Sequence, residues 1–190
     1  MPPTTKIIRK QVVEAAFSIV RDQGLDALSA RSVADQLHCS TAPVYSQFHN
    51  MEALRFAVAH KILALMEEYD TAEYTDRTFL NMGIGTVLFA RDYPHLFRAI
   101  HLDTSQFNDL ITEYLGRLVD MMRREKRFSD LLGTARADLL EKMWIYTHGM
   151  ATLVTTGYFH DVTRESITRS LEEVGGIVIA AALEKHANGA

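Results

Sequence analysis

Only four prolines occur in 190 residues, at positions 2, 3, 43 and 94. This scarcity constrains the fold more than any other feature of the chain. Proline fixes φ and has no amide donor, so it is the residue best able to break a helix. From 44 to 93, and again from 95 to the last residue, nothing of that kind interrupts the backbone. The apolar residues use this freedom at helical spacing. In KIIRKQVVEAAFSIVRDQG, Ile8, Val12, Ala15, Ala16, Ile19 and Val20 fall on one face. No segment alternates as a half-buried strand does, and no repeat or low-complexity tract is present. The pattern predicts an all-α fold of about nine helices.

Local signals divide the chain. Gly24 supplies a left-handed stop to the first helix, and Ser29 is an N-cap for a second whose Val33, Ala34 and Leu37 face inward. After the turn HCS a third, short helix covers about 41–47, capped by Ser40 or Thr41. Pro43 is tolerated there because a first-turn N–H has no helical acceptor to lose. A fourth helix runs from about Met51 to Tyr69. Others are predicted near 75–92, 95–101, 104–126, 134–159 and 163–186, with Pro94 separating the first two of these. The expected organisation is a three-helix domain over 1–50 and a six-helix body over 51–190, linked by the fourth helix.

Composition narrows the setting. Hydrophobic residues make up 47% and charged residues 23%, as in ordinary globular chains. Cys39 is the only cysteine, so no intrachain disulfide can form, which suits a reducing cytoplasm. The early apolar run VVEAAFSIV contains Glu14 and lacks a cleavage site, unlike a signal peptide. VGGIVIAAAL at 174–183 is far short of the ~20 residues of a membrane span. A cytoplasmic protein with no membrane partner is expected. The net charge of −4 argues against bulk nucleic-acid binding. Within the first 55 residues, however, Lys6, Arg9, Lys10, Arg21, Arg31 and Arg55 face Glu14, Asp22, Asp26, Asp35 and Glu52. That balance of +1 leaves −5 for the remainder, so an anionic partner is better met by the N-terminal part.

A helix, a tight turn and a short helix led by small polar residues form the helix-turn-helix pattern. Its second helix enters a major groove about 12 Å wide. Thr41, Ala42 and Pro43 are small enough for the backbone to come close to DNA. The Thr41 hydroxyl can donate or accept, while Pro43 offers only apolar contact. Tyr45 suits a phosphate oxygen, and Gln47 can meet a phosphate or read an adenine edge. Val44 and Phe48 lie behind, as anchors. Ser29 and Ser40, at the starts of the two helices, complete the DNA-facing set.

The run from Ala15 and Ala16 through Gly24, Ser29, Arg31, Val33, Ala34, Leu37, Ser40, Tyr45, Phe48 and Leu54 resembles the TetR family of bacterial transcriptional regulators. The YSQF of 45–48 is similar to that family's tyrosine-x-x-phenylalanine recognition helix, and the likeness covers about residues 8–56. A second stretch, WIYTHGMATLVTTG at 144–157, resembles the tryptophan and histidine-glycine segment of one subgroup's regulatory domain. The resemblance implies that Arg31, Thr41, Ala42, Pro43, Tyr45 and Gln47 contact operator DNA, and that the protein is a homodimeric repressor. Two positions depart from it. His38 stands where the family usually has a turn glycine, and Met51 where a lysine usually opens the fourth helix. Loss of that cation predicts a salt dependence shallower by about one unit of slope. Lys6, Arg9, Lys10 and Arg31 then carry more of the backbone contact.

Other chemistries find little support. No two of the eight histidines stand three or four apart, so none pair as metal ligands on one helix. No Glu is followed three residues later by His, which removes a carboxylate-bridged di-iron bundle. Neither a G-x-S-x-G elbow nor a phosphate-cradling glycine loop occurs. No metal, no cofactor and no enzymatic activity are expected. Cys39 reads as a packing residue and Arg31, in its plainer alternative, as a solvated partner of Asp35.

In the body, Met- and Phe-rich packing suits an adaptable pocket for a small, mostly hydrophobic effector. Its expected apolar lining is Met66, Met82, Phe89, Phe97, Phe107, Met121 and Trp144, with His60, His101, Tyr114 and His148 as polar handles. His148 also reads as a satisfied core histidine. Met150 and Leu153 on the penultimate helix, with Ile167, Leu171, Val174, Val178 and Ala182 on the last, form stripes that suit a four-helix dimer interface. Two readers ~34–36 Å apart would fit a near-palindromic operator. The rival reading is a helical protein-interaction module whose DNA-reading face has decayed, as Met51 and His38 allow.

Overall fold

The computed structural model describes residues 7–103 and 105–189, and every regular element among them is helical. In order these are α1 (Arg9–Gln23), α2 (Ala30–Gln36), α3 (Ala42–Gln47), α4 (Met51–Asp70), α5 (Thr78–Asp92) and α6 (Pro94–His101). They continue as α7 (Asn108–Met121), α8 (Lys126–Ser129), α9 (Gly133–Thr155) and α10 (Arg164–Gly189). Single 3-10 turns occur at Leu25–Ala27 and Met122–Arg124. The all-α expectation holds. None of the described helices is long and apolar enough to cross a membrane.

The helices divide into two compact units. The first holds the chain up to Ala64 together with Tyr93–Phe107; the second holds Leu65–Asp92 and the chain from Asn108 onward. This differs from a division at residue 50, because the first three helices do not close a core by themselves. Val12, Ala16, Ile19 and Val20 of α1 are buried, as are Leu54, Val58 and Ile62 of α4 and Leu96, Phe97 and Ile100 of α6. α6 packs on α1. The second unit is a bundle in which α5, α9 and α10 pack on one another and α7 packs on α9. α4 is one unbroken helix of 20 residues that begins in the first unit and ends in the second.

Several sequence expectations are refined. Ile8 is the exposed N-cap of α1, not part of its inner face. Gly24 has φ 87° and ψ 173°, so it ends α1 by turning the chain extended in a region only glycine occupies easily, not by a left-handed helical cap. Leu37 is half-buried. The single helix expected over 104–126 starts at Asn108 and stops at Met121. The chain then turns twice to bury Met122 and Phe128, and Glu125 accepts the Phe79 N–H at the start of α5 (3.0 Å). Pro94 occupies the first turn of α6, where its missing donor costs nothing.

Candidate nucleic-acid interface and ligand cavity

α2 is set by Ser29, whose hydroxyl oxygen accepts the Ser32 N–H at 3.0 Å while the Ser32 hydroxyl oxygen accepts the Ser29 N–H at 2.9 Å. α2 ends in a reversal in which the His38 and Cys39 amides donate to the carbonyls of Asp35 and Ala34 at 3.2 and 3.0 Å. His38 takes φ 53°, the only positive φ at a non-glycine position among the described residues. The turn thus demands the conformation glycine adopts freely. Thr41 is the N-cap of α3 and Pro43 lies in its first turn. Behind the helix, Val44 and Phe48 are buried; in front, Thr41, Ala42 and Ser46 are exposed and Tyr45 is 51% exposed. Pro43 is half-buried and Ser40 exposed.

Two of the DNA-facing candidates have structural duties. The Arg9 guanidinium donates to the Gln47 carbonyl at 2.9 Å and lies 3.8 Å over the Phe48 ring. Gln47 in return donates from its side-chain amide to the Ile7 carbonyl at 3.3 Å. These contacts clasp the end of α3 to the start of α1. Lys10 is exposed. The Arg31 side chain is 90% exposed and its Nε is 4.0 Å from Asp35, too loose a pair to hold it. Lys6 lies outside the described residues. Asn50, overlooked in the sequence, caps α4 by accepting the Ala53 N–H at 2.8 Å.

The second unit holds a partly open cavity of about 100 Å³. Its apolar wall comprises Phe79, Leu80 and Met82 of α5, Leu118 of α7, Leu140, Met143 and Trp144 of α9, and Leu171 and Ile179 of α10. Thr86 and Thr147 provide hydroxyls, and Arg77, Arg127 and Glu172 bring charge. Of the expected lining, Met82 and Trp144 are present. The others are placed elsewhere. His60 is exposed, and Phe97, His101 and Phe107 belong to the first unit, where Phe107 meets Phe56 edge-on (5.4 Å) and Phe97 meets His101 (4.9 Å). Met66, Phe89 and Tyr114 are buried in the second unit without lining this cavity, and Met121 is half-buried. His148 packs its ring on Trp144 at 4.6 Å, and burial holds its pKa down at about 4.

Next to the cavity sits a buried carboxyl. Asp70, the last residue of α4, is fully buried; the Tyr114 hydroxyl donates to its Oδ2, and Thr86 lies 3.0 Å from Oδ1. Burial pushes the Asp70 pKa up to about 7, against the opposing pull of those hydroxyls. Burial and the neighbouring carboxyl together raise that of Tyr114.

The stripe expected for a dimer interface divides between core and surface. Met150, Ile167 and Leu171 are buried with Ile84, Val87 and Leu88 in the unit's own core, so they offer no surface to a partner. Val174, Val178 and Ala182 are half-buried, and Leu153 is exposed. The most exposed large apolar residues of these two helices are Ile145 (64%) on α9 and Ile177 (73%) on α10, with Gly149, Gly176, Ala180 and Ala181 also exposed. Val178 and Ala182 line an open cleft with Leu132, Ala135, Ile177 and Ala181.

Compared with known proteins, the chain matches no family model and no curated protein.

Proposed function

We propose that the chain is a ligand-responsive DNA-binding transcriptional regulator, a repressor that binds a near-palindromic operator as a homodimer and leaves it when a small effector binds. One observation carries the reading: the division of α3 into a buried back, Val44 and Phe48, and an exposed front of Thr41, Ala42 and Tyr45. A six-residue helix is too short to be stable alone. Holding it rigidly with small residues outward is costly for a helix with only a packing role, and it is what groove entry requires. Arg31 and Lys10 supply exposed cations in the same unit.

Homodimerisation is supported by the exposed Ile145 and Ile177, and by the cleft beside Ile177, because such apolar surface favours burial against a second copy. The effector reading is supported by the mostly apolar cavity, and by α4, whose single run of backbone joins the α3 unit to the unit with the cavity. An effector acts only if it binds the DNA-incompetent state more tightly than the competent one. The rival reading, an interaction module with a decayed reader, draws on Met51 and on the engagement of Arg9 and Gln47 with each other's segments.

Selection of duplexes from a random pool by the full chain, followed by footprinting across a salt series, separates the two. An enriched near-palindrome with a salt-dependent affinity supports the regulator. A pool with no enrichment at low salt refutes it.

A further inference from the structure

We propose that the cavity of the second unit takes a compact aromatic carboxylate, whose acid group replaces Glu172 on Arg77. The inference deepens the regulatory reading above and rests on it for the cavity's role as an effector site.

The volume comes first. About 100 Å³ of interior, walled by Phe79, Met82, Leu118, Leu140, Met143 and Trp144 and open on one side, holds no more than a single ring whose substituent reaches the opening. An apolar cavity of roughly 150 Å³ is known to accept benzene. The lining charges then decide the head group. They are two guanidinium groups and one carboxylate, which disfavours a cationic guest.

The two arginines differ in how firmly their partners are held. Arg127 pairs with Glu125 and lies 4.7 Å over the Phe128 ring. The Glu125 side chain is 13% exposed, and its other oxygen accepts the Phe79 N–H at 3.0 Å, so it is fixed in place and Arg127 stays neutralised. Arg77 is paired with Glu172 of α10, and both side chains are about two-fifths exposed. A second carboxylate, Asp76, is 3.9 Å from the Arg77 Nε and almost fully solvated. Exposed pairs of this kind contribute little and part at small cost, because water takes up the released carboxylate. A guest carboxylate meets the Arg77 fork in the geometry Glu172 uses, and it adds the burial of its ring. A neutral guest gains the burial alone.

The exchange has a structural result. The Arg77–Glu172 pair ties the segment before α5 to α10. A bound acid unties it, so the acid favours the untied state, and it acts as an effector where that state binds DNA less well.

The test uses three compounds with the same ring and near-equal length: phenylacetate, 2-phenylethanol and 2-phenylethylamine. Binding to the full chain is measured by calorimetry and by the shift in thermal midpoint. The acid is expected to bind about tenfold more tightly than the alcohol, the worth of one charge-assisted contact, and the amine least. Arg77→Met should bring acid and alcohol to equal affinity, with circular dichroism unchanged. Glu172→Gln, which removes the competing carboxylate, should tighten the acid a few-fold and leave the alcohol unaffected. Arg123→Met, an exposed charge outside the cavity wall, should change neither. The inference is overturned if the alcohol binds as well as the acid, or if the acid's preference survives in Arg77→Met. Failure of any phenyl or cyclohexyl acid to bind, on shorter or longer tethers, overturns it too. Should Arg77→Met not fold, an unchanged acid affinity in Glu172→Gln is sufficient to overturn it. A DNA-release assay separates this from the regulatory reading. Acid that binds through Arg77 without releasing a selected duplex sinks the cavity's effector role and leaves the ligand class standing. Alcohol and acid that release it equally do the reverse.

Discussion

The Tyr114 hydroxyl donates to the carboxyl of Asp70 inside the second unit, and the Arg117 guanidinium lies 5.4 Å over the Tyr114 ring. On the other oxygen, Thr86 lies 3.0 Å from Oδ1 and also 3.0 Å from the Met82 carbonyl. One hydroxyl proton cannot serve both. With Asp70 protonated, its own O–H donates to Thr86, Thr86 donates to Met82, and every group is satisfied. With Asp70 ionised, Thr86 must turn to the carboxylate and the Met82 carbonyl loses its extra donor. The hydrogen count and the desolvation of the site therefore favour the same, neutral form.

Stability should follow from this with a definite sign. Asp70 has a folded pKa of about 7 against an ordinary 3.8, so between those values the native state holds a proton the unfolded chain has lost. Its contribution is full at low pH and is lost as pH rises toward 7, at about 1.4 kcal/mol per unit. His148 acts oppositely. Its folded pKa of about 4 lies below the ordinary 6.5, so its burial favours the fold more as pH rises between them. The two slopes offset each other over most of that range. Urea midpoints measured from about pH 4.5 to 8 should therefore rise up to about 6.5 in Asp70→Asn and fall toward 7 in His148→Gln. Identical profiles in wild type and both variants would refute the two assignments.

Gly85 should tolerate no side chain. A Cβ there would stand 2.3 Å from the Tyr69 carbonyl oxygen and 2.7 Å from the Asp70 Cα, and backbone cannot step aside as a flexible side chain does. Gly85→Ala is expected to cost about 3 kcal/mol by chemical denaturation. A change below about 1 kcal/mol would show that α5 does not lie so close to the end of α4.

Arginines 9 and 31 should separate by assay. On the proposed function, Arg31→Ala lowers affinity for a selected duplex and reduces the salt slope by about one, with the thermal midpoint unchanged. Arg9→Ala removes the Gln47 contact and the stacking on Phe48, so it should lower the thermal midpoint as well as the affinity. Equal stability losses in both variants would contradict the division of roles.

His38→Gly should stabilise the fold by roughly 0.5–1 kcal/mol, since φ 53° strains a residue with a Cβ. Unchanged or lower stability in urea would count against a strained turn.

On the proposed homodimer, Ile177→Glu should shift sedimentation toward a single copy while leaving helicity intact, because Ile177 faces outward on α10. Leu171→Ala, in the unit's own core, should instead cost about 2–5 kcal/mol of stability. A dimer that persists in Ile177→Glu places the interface elsewhere.

What could be read in advance follows physical range. The backing of α3 by Val44 and Phe48, and the Ser29 cap, depend on neighbours within four residues, and sequence spacing reports these well. The cavity depends on pairs far apart in the chain. Arg77 and Glu172 stand 95 residues from each other, and nothing local marks either as a cavity residue. α10 defeated the spacing argument in another way. Apolar and small residues lie on more than one of its faces, so periodicity could not tell that Leu171 turns to the unit's own core and Ile177 away from it. Phe97 and Phe107 lie in the first unit because the chain returns to it after α5, a long-range choice their local pattern does not encode.

The clasp between Arg9, Gln47 and the Ile7 carbonyl has a consequence for how such a chain can change. The shape of α3 is maintained from its rear and its far end, by Val44, Phe48 and the clasp, while Thr41, Ala42 and Tyr45 contribute little to it. Substitutions on the outer side are thus nearly neutral for folding, and what that side recognises can drift over generations without endangering the scaffold that presents it.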